Sequence, residues 1–338
     1  MLNFDPDRYV AIESGAMSVA DPLAECVRAR INSGGIDTLL FLGAGGAGIL
    51  MLPAVQLLQA RSTLTALALN PAEFLESGCA RLGPRTLVVA PSLSGTTAET
   101  EQALKLSASR GATTIALTGH AGTPVHDAAD FGFVNFAEDD TSSESFYLQS
   151  LVIALAAMDQ LGELRDYETI LAELRLLPNL LVGVKEAFED RAPALATALA
   201  SSPYHIITGA GSTWPQAHYY GMCILEEMQW IRTRPVDGAD FFHGTLELVE
   251  PGVSVVIFEG EDDARPLTQR VAAFAQEHTD LVTIVDTLDF ALPGVSPTVR
   301  ALVSPILLAA VLERVSAHLE VQRDHPLTTR RYYRRVAY

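Results

Sequence analysis

The stretches "TLLFLGAGGAG" (38–48) and "YHIITGAGSTW" (204–214) each place a short apolar run directly before a Gly-Ala-Gly turn. Their first glycines, Gly43 and Gly209, are 166 residues apart, which indicates a duplicated domain rather than an array of short repeats. An apolar run that leads into a glycine turn is typical of a buried strand in an α/β sheet. The two stretches therefore predict two domains built in the same way.

Further strand-like runs alternate with helix-length segments on both sides of residues 143–199, which predicts α/β domains with parallel sheets. In the first half these runs are "TLLFLG", "TLTALAL", "TLVVAP", "TTIALTG" and "FGFVNF", and in the second half they are "HIITG", "SVVIFEG" and "LVTIVD". A last helix is predicted from about Leu302 to Leu319. The expected organisation is an N-terminal helical segment at 1–35, a first domain at 36–142, connecting helices at 143–199, a second domain at 200–322 and a tail at 323–338.

The composition and net charge limit the possible ligands and the expected cellular location. The formal net charge of −18 repels phosphate backbones, so neither nucleic acid nor an anionic membrane is an expected partner. The longest apolar runs fall short of the roughly 20 residues that span a bilayer, and the N-terminus lacks a signal-peptide profile. We therefore expect a cytoplasmic protein. Only two of the 23 basic residues other than histidine are lysines, Lys105 and Lys185, which limits Schiff-base chemistry.

The segment "APSLSGTTAET" (90–100) joins a predicted buried strand to a predicted helix and is rich in hydroxyl groups. Hydroxyls, a flexible glycine and the free N–H groups at a helix N-terminus together favour an anion-binding site, here for phosphate. The simpler alternative is a hydroxyl cap of the helix. The corresponding segment of the second half, "EGEDDARP" (259–266), contains three consecutive acidic residues that would repel phosphate. The anion site is therefore expected only in the first half.

The stretch "EEMQWIRTRPVDGADFFHG" (226–244) reads as a helix end that is broken by Pro235 and Gly238 and followed by His243. From the residues alone, Glu227 is either a solvated helix carboxylate, paired with Arg232 or simply exposed, or a proton-transfer group. His243 between Phe242 and Gly244 fits a core histidine as well as an acid.

Several motifs resemble known families. The loop "SLSGTTAET" (92–100) is similar to the S-x-S-G-x-T-x-E-T signature of sugar isomerase (SIS) domains. The pair Glu227 and His243 resembles the acid/base pair in the isomerase half of glutamine:fructose-6-phosphate aminotransferase. The pattern E-M-Q-W-I followed by F-H-G, with the tail "HPLTTRRYYRRVAY" (325–338), resembles bacterial fructosamine 6-phosphate deglycases. The resemblance covers nearly the whole chain as two SIS domains, each a doubly wound parallel sheet flanked by helices.

This resemblance implies a site without metal or cofactor, shared between the subunits of a homodimer. Glu227 would be the general base and His243, from the other subunit, the general acid. The phosphate would be bound by Ser92, Ser94, Gly95, Thr96 and Thr97. Further substrate contacts would come from Gly45, Gly46, Glu99, Gly211, Ser212, His325 and Arg331.

Two positions depart from the related proteins. Ala47 stands where SIS proteins often have a phosphate-binding serine, so one phosphate contact is missing or replaced. Arg331 stands where the aminotransferase has its ring-opening lysine, and an arginine cannot form a Schiff base. The resemblance therefore favours a ketosamine 6-phosphate deglycase that acts on a small phosphosugar-amine conjugate. A sugar-phosphate isomerase, an aminosugar-phosphate deaminase or aminotransferase, and a non-catalytic phosphosugar sensor remain as alternatives.

Overall fold

The computed structural model describes residues 1–138, 141–333 and 335–336, and the chain forms two compact units. The N-terminal unit contains Pro6–Asn179 and Gly294–Val299. The C-terminal unit contains Met1–Asp5, Leu180–Pro293 and Arg300–Tyr338.

In the described part of the N-terminal unit, five parallel strands form one sheet in the order β2-β1-β3-β4-β5. The strands are β1 Thr38–Leu42, β2 Thr65–Leu69, β3 Thr86–Ser92, β4 Thr113–Thr118 and β5 Phe131–Val134. Every residue of β1 and β3 is buried, as expected where helices cover both faces of a parallel sheet. All five strands coincide with predicted runs, and the α/β class is confirmed.

The helices of this unit include one that is buried along almost its whole length. Residues 142–158 of this helix, α8, are buried, because small and apolar side chains such as "LVIALAAM" (151–158) surround its axis. The helices are α1 Pro6–Ser18, α2 Ala20–Gly34, α3 Gly45–Ile49, α4 Leu52–Arg61, α5 Pro71–Ser77, α6 Ala98–Ser109, α7 Pro124–Asp127, α8 Ser142–Gln160 and α9 Tyr167–Leu174.

The C-terminal unit repeats the same topology. Its described strands are β6 His205–Gly209, β7 Thr233–Asp237, β8 Ser254–Glu259 and β9 Val282–Asp286, in the parallel order β7-β6-β8-β9. This order matches β2-β1-β3-β4 position by position. Strand β7 was not predicted, because Pro235 was interpreted as part of a helix break. As the edge strand, β7 tolerates a proline that cannot donate a hydrogen bond.

Helices of the C-terminal unit begin at the boundary between the units. They are α10 Leu177–Phe188, α11 Ala192–Ser201, α12 Trp214–Tyr219, α13 Arg265–His278 and α14 Pro297–Gln322. The helices expected at 143–199 as one connecting layer therefore divide, with α8 and α9 in the N-terminal unit and α11 in the C-terminal unit. Among the described residues, α14 is the one helix long and apolar enough to cross a membrane. Because 83% of its most apolar window is buried inside the protein, α14 has the character of a core helix.

A charged cluster joins the first residues of the chain to α14. The Leu2 N–H donates to Glu189 Oε1 at 2.8 Å, and Arg314 Nε donates to Glu189 Oε2 at 2.8 Å. Burial acts to raise the pKa of Glu189, but the hydrogen bonds from Arg314, Leu2 and His318 outweigh burial and lower this pKa to about 2. The ionised carboxylate thus fixes Met1–Asp5 within the C-terminal unit.

Candidate functional site

Glu227 lies at the end of a π-helical segment, Tyr220–Met228, that continues α12. π-Helical turns are rare in proteins and occur frequently at functional sites. The Glu227 carboxylate is about one third exposed, and its Oε1 accepts a hydrogen bond from Arg330 Nε at 2.9 Å. Its neighbour Glu226 accepts a hydrogen bond from Thr233 Oγ1 at 2.6 Å. The carboxylate of Glu227 is therefore paired with Arg330 of the tail rather than with Arg232.

The tail contacts the segment that follows Glu227. Gln229 Nε2 donates to the His325 carbonyl at 2.7 Å, and Arg323 Nη1 donates to Gln229 Oε1 at 2.9 Å. The rings of Trp230 and His325 meet edge to face at 4.5 Å, and the Arg331 guanidinium lies 3.9 Å from the centre of the Trp230 ring. These contacts hold the tail as far as Arg331 against residues 227–230. Tail residues Arg334, Ala337 and Tyr338 lie outside the described part of the chain.

A cavity of about 720 Å³ opens beside Glu227. This volume falls in the usual range for small-molecule sites. The Trp230 backbone at its wall has a φ of 57°, a left-handed conformation that is uncommon for a residue other than glycine. The cavity is lined by Tyr204, Glu226, Glu227, Trp230, Ile231, Arg232, Thr233, Arg330, Arg331, Tyr332 and Tyr333.

His243 is exposed at the end of a short 3₁₀ turn, Phe241–His243. Phe241 is fully buried and packs edge to face against Phe242 and Phe274, so the phenylalanines fill the core and leave the imidazole outside. His243 is therefore not a core histidine, and it does not line the cavity that contains Glu227. Within one chain, the structure does not bring these two predicted residues together in that cavity.

The serine loop connects β3 to α6 in the N-terminal unit. Ser92 Oγ lies 3.1 Å from Thr97 Oγ1, and Ser94 Oγ lies 3.0 Å from Thr96 Oγ1, so the hydroxyls interact in pairs. Among the described residues, no side chain caps the N-terminus of α6. The hydroxyls thus do not act as the simple helix cap that the sequence left open, and the first N–H groups of α6 can take an anion. Glu99 is exposed on the first turn of α6.

Gly95 is required by the shape of this loop. Its φ is 65°, and a Cβ placed there would lie 2.0 Å from Thr123 Oγ1 and 2.5 Å from Thr123 Cβ. The segment that contains Thr123 is also hydrogen-bonded to this loop, since the Val125 N–H donates to the Gly95 carbonyl at 2.9 Å. Glycine is therefore the residue that allows the turn and the close contact with Thr123 together.

The glycines in the turns at 43–48 and 209–214 allow backbone atoms of the same turn to lie close together. A Cβ on Gly43 would lie 2.4 Å from the Gly48 Cα, so a tight turn requires glycine at this position. Gly45 and Gly211 occupy equivalent positions, with φ values of 54° and 57°. Gly45 has open space where a side chain would stand. Gly46 follows it as the second residue of α3.

In the C-terminal unit, a carboxylate of the protein occupies the equivalent turn. Asp262 Oδ2 accepts a hydrogen bond from the Ser212 N–H at 2.8 Å, and Asp262 Oδ1 accepts one from Ala264 N–H at 3.0 Å. Glu261 forms an ion pair with Arg300 at 2.7 Å. The Asp262 carboxylate therefore binds backbone amides of two loops of its own unit, and an anion site in the N-terminal unit alone stays a prediction.

Of the residues that line the cavity, only Glu227 and Arg331 were predicted as site residues. Arg330 and Trp230 occur only within the quoted motifs, and neither was predicted to line a site. The repeated arginines and tyrosines of "RRYY" (330–333) were the available signal, but pairing with Glu227 joins residues 103 positions apart. Such a contact depends on the tertiary fold.

Comparison with known proteins gives consistent similarities. Residues 36–159 match the family model of the SIS domain. The chain is 26% identical over 305 residues to the fructosamine deglycase of Bacillus subtilis, covering 90% of this chain and 93% of that protein. It is 28% identical over 312 residues to the fructoselysine 6-phosphate deglycase of Escherichia coli K12, covering 92% and 90%. The crystal structure of a candidate phosphosugar isomerase from Bacillus subtilis superposes with a TM-score of 0.88 at 25% identity, covering 96% of this chain and 99% of that one.

Proposed function

We propose that this chain, which contains a SIS domain at residues 36–159, is a deglycase that cleaves a ketosamine 6-phosphate to glucose 6-phosphate and a free amine or amino acid. The observation that carries the proposal is the similarity to two deglycases along about nine tenths of the chain. The phosphate-binding loop and the carboxylate-lined cavity supply groups that suit this reaction.

The reaction consists of proton transfers followed by hydrolysis. In the ring-opened ketosamine, C1 carries the amine and C2 is a carbonyl. A base removes a proton from C1 while the C2 carbonyl oxygen takes up a proton, which gives an enaminol. An acid then adds a proton to C2 as the nitrogen lone pair forms a double bond to C1, which leaves a protonated imine. Water adds to this imine and releases the amine together with the aldehyde of glucose 6-phosphate. A carboxylate and an imidazole suffice for these steps.

The residues take the following roles in the proposal. Ser92, Ser94, Thr96 and Thr97 bind the phosphate together with the amides at the start of α6, and Gly95 permits the turn. Glu227 removes the C1 proton, and Arg330 orients its carboxylate. His243 delivers the proton to C2. Because His243 is exposed and does not line the Glu227 cavity of its own chain, we infer that it acts in the site of a second subunit of a homodimer.

The positions of the two lysines argue against the alternative function of an aminotransferase. Lys105 is paired with Glu101 on α6 at 2.5 Å, and Lys185 is fully buried, where it donates to Glu313 at 2.9 Å. Neither lysine lines the cavity beside Glu227, and Arg331 cannot form a Schiff base. Deglycation needs no lysine. The net charge of −18 suits a small-molecule enzyme without nucleic-acid partners, and we propose a cytoplasmic setting.

The test is a product assay. Purified protein is mixed with fructoselysine 6-phosphate, and separately with fructose 6-phosphate and ammonia, and glucose 6-phosphate and glucosamine 6-phosphate are measured. The proposal requires glucose 6-phosphate from the first mixture and no glucosamine 6-phosphate from the second.

Glu227→Gln and His243→Asn should each lower kcat by about 10²- to 10⁴-fold. The exposed Glu247→Gln serves as a control that should keep wild-type activity. Unchanged rates in both site variants would reject the assigned roles.

A further inference from the structure

The cavity beside Glu227 has more positive than negative groups in its wall. Three arginines line it, Arg232, Arg330 and Arg331, against the two carboxylates Glu226 and Glu227. This local excess stands out in a chain whose net charge is −18. A cationic cavity in an acidic protein attracts an anionic ligand to that place.

The arginines are not equally available. Arg330 is bonded to Glu227 through Nε and to the Leu327 carbonyl through Nη1 at 2.6 Å. Among the described residues, Arg232 and Arg331 have no carboxylate partner within 4.0 Å. Two guanidinium groups in the cavity wall can therefore accept an anion without breaking an ion pair.

Arg331 is also held in a defined orientation. Its guanidinium lies 3.9 Å from the centre of the Trp230 ring, and Trp230 is fixed in turn by His325. A guanidinium beside an aromatic ring keeps N–H donors that can bind both oxygens of a carboxylate. Tyr204, Tyr332 and Tyr333 add hydroxyl groups and ring surface to the same wall. Aromatic walls with a few oriented polar groups are typical of sites for small organic molecules.

We propose that this cavity binds the amine half of the substrate through a free carboxylate, with Arg331 and Arg232 as its ligands. The inference rests on the proposed function and narrows it, because the released product is then an amino acid rather than a simple amine. The carboxylate group contacts the arginines while the ketosamine C1 faces Glu227.

Matched substrates test the selectivity. The ketosamine 6-phosphates of glycine and ethylamine form a short pair, and those of 6-aminohexanoate and hexylamine form a long pair, each differing in the carboxylate. We expect kcat/KM to favour the carboxylate member of at least one pair by about tenfold or more. Arg331→Gln and Arg232→Gln should each reduce this preference, because they lower kcat/KM for the carboxylate member of a pair more than for the plain amine member. Arg335→Gln removes the same charge from an exposed tail position outside the cavity wall and should retain the preference. Equal kcat/KM within both pairs, or a preference that survives both variants, would overturn the inference while leaving the deglycase function intact.

A binding measurement tests the same site without any turnover. The chain has two tryptophans, so Trp214→Phe leaves Trp230 as the only indole reporter. Titration with 6-aminohexanoate should change the Trp230 fluorescence in a saturable way, hexylamine should not, and Arg331→Gln should abolish the response. A protein that lacks deglycase activity but shows this response would reject the proposed function and keep the carboxylate site. The same response to both probes would reject the site.

Discussion

At the residue scale, the environment of Glu227 is set by one guanidinium from a distant part of the chain. Arg330 donates to its carboxylate, and this arginine is itself fixed by the carbonyls of Leu327 and Thr329. A carboxylate held from one side by a positioned donor has fewer accessible rotamers than a solvated one. The tail therefore controls the orientation of the proposed base.

We expect Arg330→Gln to lower kcat by about ten- to hundredfold, because a small misplacement of a catalytic group reduces the reaction rate strongly. Arg330→Lys should recover part of the loss, since it restores the charge without the planar donor geometry. The measurement is steady-state formation of glucose 6-phosphate, with Arg335→Gln as the matched control from the same tail. Wild-type kcat in Arg330→Gln would show that the ion pair does not orient the base.

Individual site residues could be proposed from the sequence only where they belong to a recognisable motif. Local patterns indicated the hydroxyl residues of the serine loop, and only the family resemblance pointed to Glu227; the roles of all of them stay predictions. The environment of His243 was ambiguous, because "FFHG" is equally compatible with a buried or an exposed imidazole. The structure resolves this through Phe241, whose complete burial directs His243 to solvent. Arg330 could not be identified as the partner of Glu227, since nothing local connects the two.

At the scale of elements, the loop between β3 and α6 combines a positive φ with a close contact to the loop before α7. The contact joins Gly95 to Thr123, and the hydrogen bond from Val125 to the Gly95 carbonyl holds the two loops together. The proposed phosphate binding by four hydroxyls requires that this turn keeps its shape.

Gly95→Ala should therefore destabilise the protein and raise KM for a phosphorylated substrate. The added Cβ meets Thr123 atoms at 2.0 to 2.9 Å, and overpacking of this kind costs about 1–3 kcal/mol beyond the strain of a left-handed alanine. Gly122→Ala is the matched control, because Gly122 has a φ of 66° with open space beside it. The free energies of unfolding from denaturant titrations and the KM values are compared. Equal effects in the two variants would mean that the contact with Thr123 is not the constraint.

A second prediction at this scale concerns the charged cluster that anchors Met1–Asp5. Because the folded-state pKa of Glu189 is lowered to about 2 from an ordinary value of 4.5, its contribution to stability is present above pH 4.5 and is lost as the pH falls towards 2. Glu189→Gln should lower the free energy of unfolding by about 1–2 kcal/mol at pH 7, because solvent screens part of the interaction, and this difference should shrink below pH 4.5. Denaturant titrations of both proteins between pH 3 and 7 measure it. A constant difference across this range would contradict the linkage.

Eight of the nine described strands could be predicted, because each is a continuous apolar run bounded by turn residues. Strand β7, with the sequence "TRPVD", has none of these properties. It is held by pairing with β6 and by packing, since a Cβ on Gly221 of the π-helical segment would lie 2.6 Å from the Pro235 ring. An edge strand that is specified by its neighbours carries little local signal.

At the scale of the whole molecule, the two units share a strand order but differ in the loop that follows the third strand. The N-terminal unit keeps a hydroxyl loop between its third strand and the following helix. In the C-terminal unit the same position holds an acidic loop, and Asp262 binds the Ser212 amide. The sequence predicted this division because like charge repels phosphate, but the internal role of Asp262 required the structure. The C-terminal unit contains the proposed acid/base groups, with Glu227 in a cavity and His243 on the exterior.

The proposed sharing of the site between subunits makes a quantitative prediction for mixed dimers. Each site would combine Glu227 of one subunit with His243 of the other, as two-fold symmetry requires. A heterodimer of Glu227→Gln and His243→Asn subunits, co-expressed with different affinity tags and purified through both, would then hold one site with both substitutions and one with neither. We expect it to show about half of the wild-type rate per dimer, although each parent homodimer is nearly inactive. A heterodimer of Glu227→Gln with the doubly substituted subunit is the control, because neither of its sites is complete. If the first heterodimer is as inactive as this control, Glu227 and His243 act within one chain or not as a pair.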